Sequence, residues 1–177
     1  MIPPRYQEAS YETDVPERIK LLLRNMGESK KGIYIHGAIG TGKTHIAYAI
    51  LKKMNEISRY GGELWNTTEL LREIKDDFDR PYIDKRRVCE KLMESSKILF
   101  LDDIGVEKAT EFVQETFYML INKQYNEKFP IIFTSNKSVS ELAEHVGERT
   151  ASRIVEMCDV VELTGEDRRI AGRTKVV

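Results

Sequence analysis

The sequence predicts an α/β domain with a parallel sheet covered by helices on both faces. Three observations predict it. Short apolar runs of strand length alternate with stretches of helical periodicity, the pattern of strand–helix–strand crossovers. The first such strand meets the first long helix through Gly37-Ala38-Ile39-Gly40-Thr41-Gly42-Lys43-Thr44, which fits G-x-x-x-x-G-K-[ST]. A later apolar run, Ile98-Leu99-Phe100-Leu101, ends in two carboxylates, Asp102 and Asp103. At 177 residues, without repeats, low-complexity tracts or long linkers, the chain reads as one domain, 1–177. It has an arm at 1–14 and a basic tail at 164–177.

The arm contains Pro3-Pro4 and many polar groups, with Tyr6 and Tyr11 interleaved, and reads as extended chain rather than helix. Val15 to Met26 reads as a helix: Pro16 suits a first turn, Ile19, Leu22 and Leu23 share a face, and Gly27 is a stop. Gly32 to His36 is a short buried strand. His45 to Ser58 follows the glycine-rich turn as a helix, with Ile46, Ile50, Met54 and Ile57 at helical spacing. Gly61-Gly62 marks a turn before the strand Glu63 to Asn66. Thr67 or Thr68 caps a helix carrying Leu70, Leu71, Ile74 and Phe78. The charged stretch Asp76 to Arg87, with Pro81, breaks it, and Val88 to Met93 resumes it. Lys97 to Asp103 is a strand. Thr110 to Lys128 is a long helix, with Phe112, Val113, Thr116, Phe117, Leu120, Ile121 and Gln124 on one stripe. Pro130 to Ser135 is a buried strand. Ser138-Val139-Ser140-Glu141 is a capping box for a helix through Val146. Gly147 interrupts, Glu148 to Met157 is helical, and Asp159 to Leu163 is a last strand.

Composition bounds the function classes. Hydrophobic residues make up 41% and charged residues 32%, an ordinary globular profile with a wet surface. The net charge of −1 makes no bulk case for nucleic acid, while leaving room for a local basic patch. Cys89 and Cys158 are far apart and lack C-x-x-C spacing, against a disulfide framework or zinc site. No signal-peptide core and no membrane-spanning run is present, so the expected location is the cytoplasm, with no membrane partner.

The chemistry follows from where these residues fall. A strand, a glycine-rich turn and a helix N-terminus converge backbone N–H groups and the positive end of the helix dipole on a phosphate. Gly37, Ala38, Ile39, Gly40, Thr41, Gly42, Lys43, Thr44 and His45 are therefore the candidate nucleotide-binding residues. Lys43 supplies charge to the β- and γ-phosphates, and the Thr44 hydroxyl ligates Mg²⁺. Ligands of doubly wound sheets bind at the carboxyl ends of strands, which brings Asp102 and Asp103 to the same edge. Asp102 is assigned to the metal and Asp103 to the attacking water as general base. As plain helix caps the pair would do neither. Asn136, just past a buried strand, can hold the water or a γ-phosphate oxygen, or be an ordinary turn residue. Arg149 and Arg153, four apart, share a helix face. They are either solvated or an arginine finger that stabilises charge on the transferred phosphoryl group.

These motifs, in this order, resemble the initiator and helicase-loader branch of the AAA+ ATPases. Within it the chain is similar to the DnaC/DnaI replicative helicase loaders and the IstB transposition helpers. The carrying segments are Ile2-Pro3-Pro4-Arg5-Tyr6, Gly37–Thr44, Leu101-Asp102-Asp103-Ile104-Gly105, Thr134-Ser135-Asn136 and Gly147-Glu148-Arg149-Thr150-Ala151-Ser152-Arg153. The resemblance implies a P-loop NTPase fold of the ASCE type, with a five-stranded parallel sheet of order 5-1-4-3-2 and Asn136 as sensor 1. It implies that Arg153 reaches a neighbouring subunit's γ-phosphate, supported by Arg149. It also implies ATP-dependent ring or helical assemblies on single-stranded DNA, and a replicative helicase or transposase as protein partner. Such loaders usually carry an N-terminal helicase-gripping domain, and this sequence starts at the linker before the ATPase core. It ends soon after the fifth strand, so no full C-terminal lid is expected, and Arg168 or Arg169 is either a stand-in for sensor 2 or part of a solvated basic tail.

The function expected is that of an ATP-binding and ATP-hydrolysing protein of DNA replication. Its cofactors would be ATP/ADP and Mg²⁺, and oligomerisation or DNA would stimulate it. The alternatives are an IstB-like transposition helper or a P-loop nucleotide kinase, although no acceptor pocket or basic lid for a kinase is visible. Lys85, Arg86 and Arg87, with Trp65 and Tyr82 to stack on bases, form the candidate DNA contact, or else a wet charged loop.

Overall fold

The computed structural model describes residues 2–57, 61–78, 88–95 and 98–167. Five strands form one parallel sheet: β1 (Gly32–Gly37), β2 (Gly62–Asn66), β3 (Ile98–Asp102), β4 (Ile131–Ser135) and β5 (Cys158–Leu163). Their order is β2-β3-β4-β1-β5, the order the family resemblance implies. β1 and β4 are the most enclosed strands, and both read as continuous apolar runs because helices cover both of their faces.

The helices are α1 (Tyr11–Asp14), α2 (Glu17–Ser29), α3 (Lys43–Ile57), α4 (Thr67–Phe78), α5 (Val88–Glu94), α6 (Glu111–Glu127), α7 (Val139–Val146) and α8 (Glu148–Met157). Two apolar layers separate on the two faces of the sheet. One joins Tyr34, Leu101 and Phe133 of the strands to Phe117, Ile121, Leu142 and Ile154 of α6, α7 and α8. The other joins Ile33, Ile35, Phe100 and Ile132 to Ile19 of α2 and Ile46 and Ile50 of α3. Each fully buried side chain of this size contributes roughly 1.5–3 kcal/mol, so the layers fix the sheet edge on which the site is built.

Three expectations differ from the structure. The arm is not extended throughout: Pro4–Tyr6 forms a 3₁₀ turn and α1 adds one helical turn before Val15 buries itself. Gly27 does not stop α2. A side chain there would meet nothing within 4 Å, so its cost of about 1 kcal/mol is only that of backbone freedom, and burial of Ile19 and Met26 carries the helix past it. The helix ends at Lys30, whose backbone is left-handed (φ 57°). Neither threonine caps α4. The Asn66 side chain accepts from the amides of Thr68 and Glu69, which leaves the Thr67 hydroxyl for another purpose. The capping box of α7 forms as expected, with Ser138 and Glu141 bonding each other's amides. No helix among the described residues is long and apolar enough to cross a membrane.

Candidate active site

The strand register brings the chemistry together. β2 and β3 pair Asn66 with Asp102, β3 and β4 pair Leu101 with Phe133, and β4 and β1 pair Ser135 with His36. The strand ends carrying Asp102, Thr134 and the glycine-rich loop therefore reach the same sheet edge. A cavity of about 370 Å³ opens there, lined by Gly40, Gly42, Lys43, Thr44, Asp103 and Asn136, and walled by Ile39, His45, Arg5 and Tyr6.

The loop itself needs its glycines. Gly40 (φ 83°) and Gly42 (φ 96°) take conformations that side-chain-bearing residues rarely adopt. A Cβ on Gly40 would also meet the carboxylate of Asp167, after β5, a contact that rotation of that side chain would relieve. Lys43 is buried, and its ammonium donates to the carbonyls of Gly37 (2.9 Å) and Ala38 (2.8 Å). The loop thus holds the lysine head at its own mouth. Thr41 donates back to the Ala38 carbonyl (2.9 Å), closing the turn.

The two acids are held differently. Asp102 is 5% exposed. Burial is the largest influence on its carboxyl and pushes its pKa up to about 6, with the nearby Asp103 adding to the rise. The hydroxyls of Thr134 and Thr44 and the Lys43 ammonium pull the other way. Asp103 faces the cavity on a left-handed backbone (φ 59°). Asn136 is exposed at the cavity wall.

A carboxylate held in this way should weaken the fold. The unfolded reference value is 3.8, so the folded chain binds more protons between about pH 4 and 6, and stability falls as pH rises through that window. Asp102→Asn keeps an acceptor for Thr134 and removes the buried charge. It should raise the unfolding free energy at pH 7 by roughly 1–3 kcal/mol, since one pKa unit is worth about 1.4 kcal/mol. The gain should be complete above about pH 6 and vanish near pH 4. Chemical denaturation without nucleotide reads this directly, and an unchanged or less stable variant at pH 7 contradicts it.

The arm contributes residues that the sequence reading did not place in the site. Tyr6 stacks on Tyr48 of α3 (ring centroids 4.5 Å apart) and meets His45 edge-on (6.4 Å). Asp14 accepts from or pairs with His45 Nε2 at 2.9 Å, and the Ser10 amide and His45 hold its carboxyl below the usual range. These contacts bring Arg5 and Tyr6 to the cavity wall.

Arg149 and Arg153 do not line the cavity. Both are on α8, where the Arg153 guanidinium lies over Tyr118 (5.0 Å) and Tyr125 (5.6 Å) of α6 and donates to the Arg149 carbonyl (3.2 Å). Trp65 packs partly against the core, its indole donating to Glu63 (3.1 Å). Tyr82, Lys85, Arg86, Arg87, Arg168 and Arg169 lie outside the described residues. Cys158 is buried and free, and no cluster of three or more His, Cys, Asp or Glu suited to a metal occurs among the described residues.

A phosphate-binding loop between β1 and α3, with paired acids at the end of a strand one removed in the sheet, defines a P-loop nucleotide-binding protein of the AAA+ fold. The profile of the IstB-like ATP binding proteins matches residues 7–176, and the chain belongs to that family. It is 29% identical over 152 residues to the replicative helicase loader DnaI of Bacillus subtilis (strain 168), a match spanning 78% of this chain and 48% of DnaI. The chromosomal replication initiator protein DnaA of Treponema pallidum (strain Nichols) is 28% identical over 138 residues, or 73% of this chain and 27% of DnaA. The chain thus spans about half the length of DnaI and about a quarter of DnaA. The crystal structure of the DnaC helicase loader matches with a TM-score of 0.79 at 28% identity, covering 92% of this chain and 100% of that one. AMPPCP-bound DnaA from Aquifex aeolicus shares the fold, with a TM-score of 0.75 at 22% identity, over 94% of this chain and 52% of that one.

Proposed function

We propose that this chain is an Mg²⁺-dependent ATPase that assembles with copies of itself on single-stranded DNA to place or remodel a protein partner in replication. The observation that carries the reading is the single cavity in which Gly42, Lys43 and Thr44 face Asp103 and Asn136. Lys43 exchanges the loop carbonyls for the β- and γ-phosphates when nucleotide enters. The Thr44 hydroxyl and the Asp102 carboxylate offer hard oxygen donors, and a few such ligands completed by phosphate and water suit Mg²⁺. Held by Thr44 and Asp102, Mg²⁺ would supply charge neutralisation for the phosphates. Asp103 takes the proton of the attacking water, and Asn136 orients that water or a γ-phosphate oxygen. Arg153, outside the cavity of its own subunit, serves the next subunit's site, with Arg149 in support.

The likeness to the DnaC and DnaI loaders supports a replicative helicase as partner. The family match supports a second reading, a transposition helper whose partner is a transposase. Both place the chain in the cytoplasm as one domain, and both need the same nucleotide site. Lys43→Ala tests that site. Losing the one buried charge aimed at the phosphates should weaken binding of a fluorescent ATP analogue by roughly 10–100-fold, the equivalent of a charge-assisted hydrogen bond or two. Unchanged affinity would remove the phosphate-loop assignment.

A further inference from the structure

A general base works only if its carboxylate is aimed, and Asp103 is aimed by an unusual backbone. Its left-handed conformation (φ 59°) is one that aspartate tolerates better than most side-chain-bearing residues, yet it still costs free energy unless the surroundings hold it. The support is visible on both sides of the residue. The Asp103 amide donates to the Thr134 hydroxyl (2.9 Å), and the Asp103 carbonyl accepts from the Thr67 hydroxyl (3.0 Å). Both threonines are buried, Thr67 completely so. Thr134 also donates its hydroxyl proton to the Asp102 carboxylate, so one side chain fixes both acids. One residue on, the Ile104 amide donates to the Thr134 carbonyl (2.9 Å) and Ser135 Oγ donates to the Ile104 carbonyl (2.6 Å), tying the exit of the turn to β4. Thr67 begins α4 yet does not cap it, because Asn66 does.

We propose that Thr67 and Thr134 are positioning residues of the ATPase site, clamping the main chain of Asp103 from β2–α4 and from β4 so that its carboxylate faces the cavity. The inference rests on the ATPase reading above. Neither threonine lines the cavity, and Thr67 hydrogen-bonds neither the loop nor Asp102, so Thr67 should not affect nucleotide binding much. Thr134 also holds Asp102, and its loss should weaken the Mg²⁺-dependent part of binding as well. A clamp predicts a selective loss: without the hydroxyl the backbone of Asp103 relaxes, the carboxylate turns away, and chemistry slows while binding persists.

The test compares Thr67→Val and Thr134→Val with Thr67→Ser and Thr134→Ser, measuring kcat, KM and the affinity for a fluorescent ATP analogue. Each valine variant should lose about 10–100-fold in kcat, as expected when one aligning hydrogen bond is removed. The analogue affinity of Thr67→Val should stay within about threefold, and each serine variant should recover most of the rate because it restores the hydroxyl. Thr67→Val placed on Asp103→Asn should cost less than about twofold more, since no base remains to be aimed. If a valine variant does not fold, Thr67→Ala and the serine pair carry the same comparison. Valine variants that turn over like wild type, serine variants as slow as valine, or, in Thr67→Val, a loss of rate matched by a loss of affinity would each overturn the clamp. A wild-type protein that hydrolyses no ATP would instead overturn the ATPase reading, and the clamp with it.

Discussion

Arg153→Ala should bind ATP as tightly as the wild-type protein and hydrolyse it about 10³–10⁵ times more slowly, the range over which an arginine finger acts. Binding is spared because no residue of α8, Arg153 included, lines the cavity in its own subunit. Its guanidinium rests on Tyr118 and Tyr125, and its Nε is buried without a hydrogen-bond partner among the described residues. Cation–π contacts of this kind are worth only about 0.5–2 kcal/mol, too little to hold the group against a phosphate. The decisive form of the experiment mixes Arg153→Ala with Asp103→Asn. An Arg153→Ala subunit supplies an intact base, its Asp103→Asn neighbour supplies an intact arginine, and some interfaces are whole. Activity should partly return and rise with total concentration. A fully active Arg153→Ala would make the residue an ordinary surface arginine, and a dead mixture would confine it to its own subunit.

Asp103→Asn is the second large effect. The amide fills the same volume on the same clamped backbone but cannot take a proton. Turnover should fall by about 10²–10⁴, the usual contribution of a general base. Binding of Mg²⁺-ATP should persist, because Lys43, Thr44 and Asp102 are untouched. Isothermal titration beside steady-state hydrolysis separates the two readouts. Asp102→Asn should do the opposite and weaken the Mg²⁺-dependent part of binding. If Asp103→Asn turns over normally while Asp102→Asn binds Mg²⁺ normally, the roles assigned to the two acids are wrong.

How much of this was legible before the structure depended on what each residue's role required. The loop from Gly37 to Thr44 and the acids at Asp102-Asp103 were readable because parallel strands deliver their carboxyl ends to one edge, and apolar runs mark where those ends fall. Asn136 was readable for the same reason. Thr134 was visible as a polar residue near the end of a strand, but its role depends on the β3–β4 register, which places it beside Asp102. Thr67 looked like a helix cap because threonine before a helical stripe usually is one. The preceding Asn66 caps more effectively, and only the pairing of β2 with β3 shows where the freed hydroxyl goes. Arg5 and Tyr6 were legible as part of a motif but not as cavity wall. Their place is set by stacking on Tyr48 and by the Asp14–His45 pair, contacts between segments some thirty to forty residues apart. Gly27 misled because a glycine's cost in a helix is small beside the burial of the residues around it.

An ATPase site completed by a second copy of the chain, as proposed, makes hydrolysis depend on protein concentration. The most direct test is the rate of ATP hydrolysis per subunit across protein concentration, with Mg²⁺, in the presence and absence of single-stranded DNA. The rate per subunit should climb with concentration, climb at lower concentration when DNA is added, and disappear in Lys43→Ala. A rate per subunit that is constant from dilute to concentrated protein, with or without DNA, would contradict the claim.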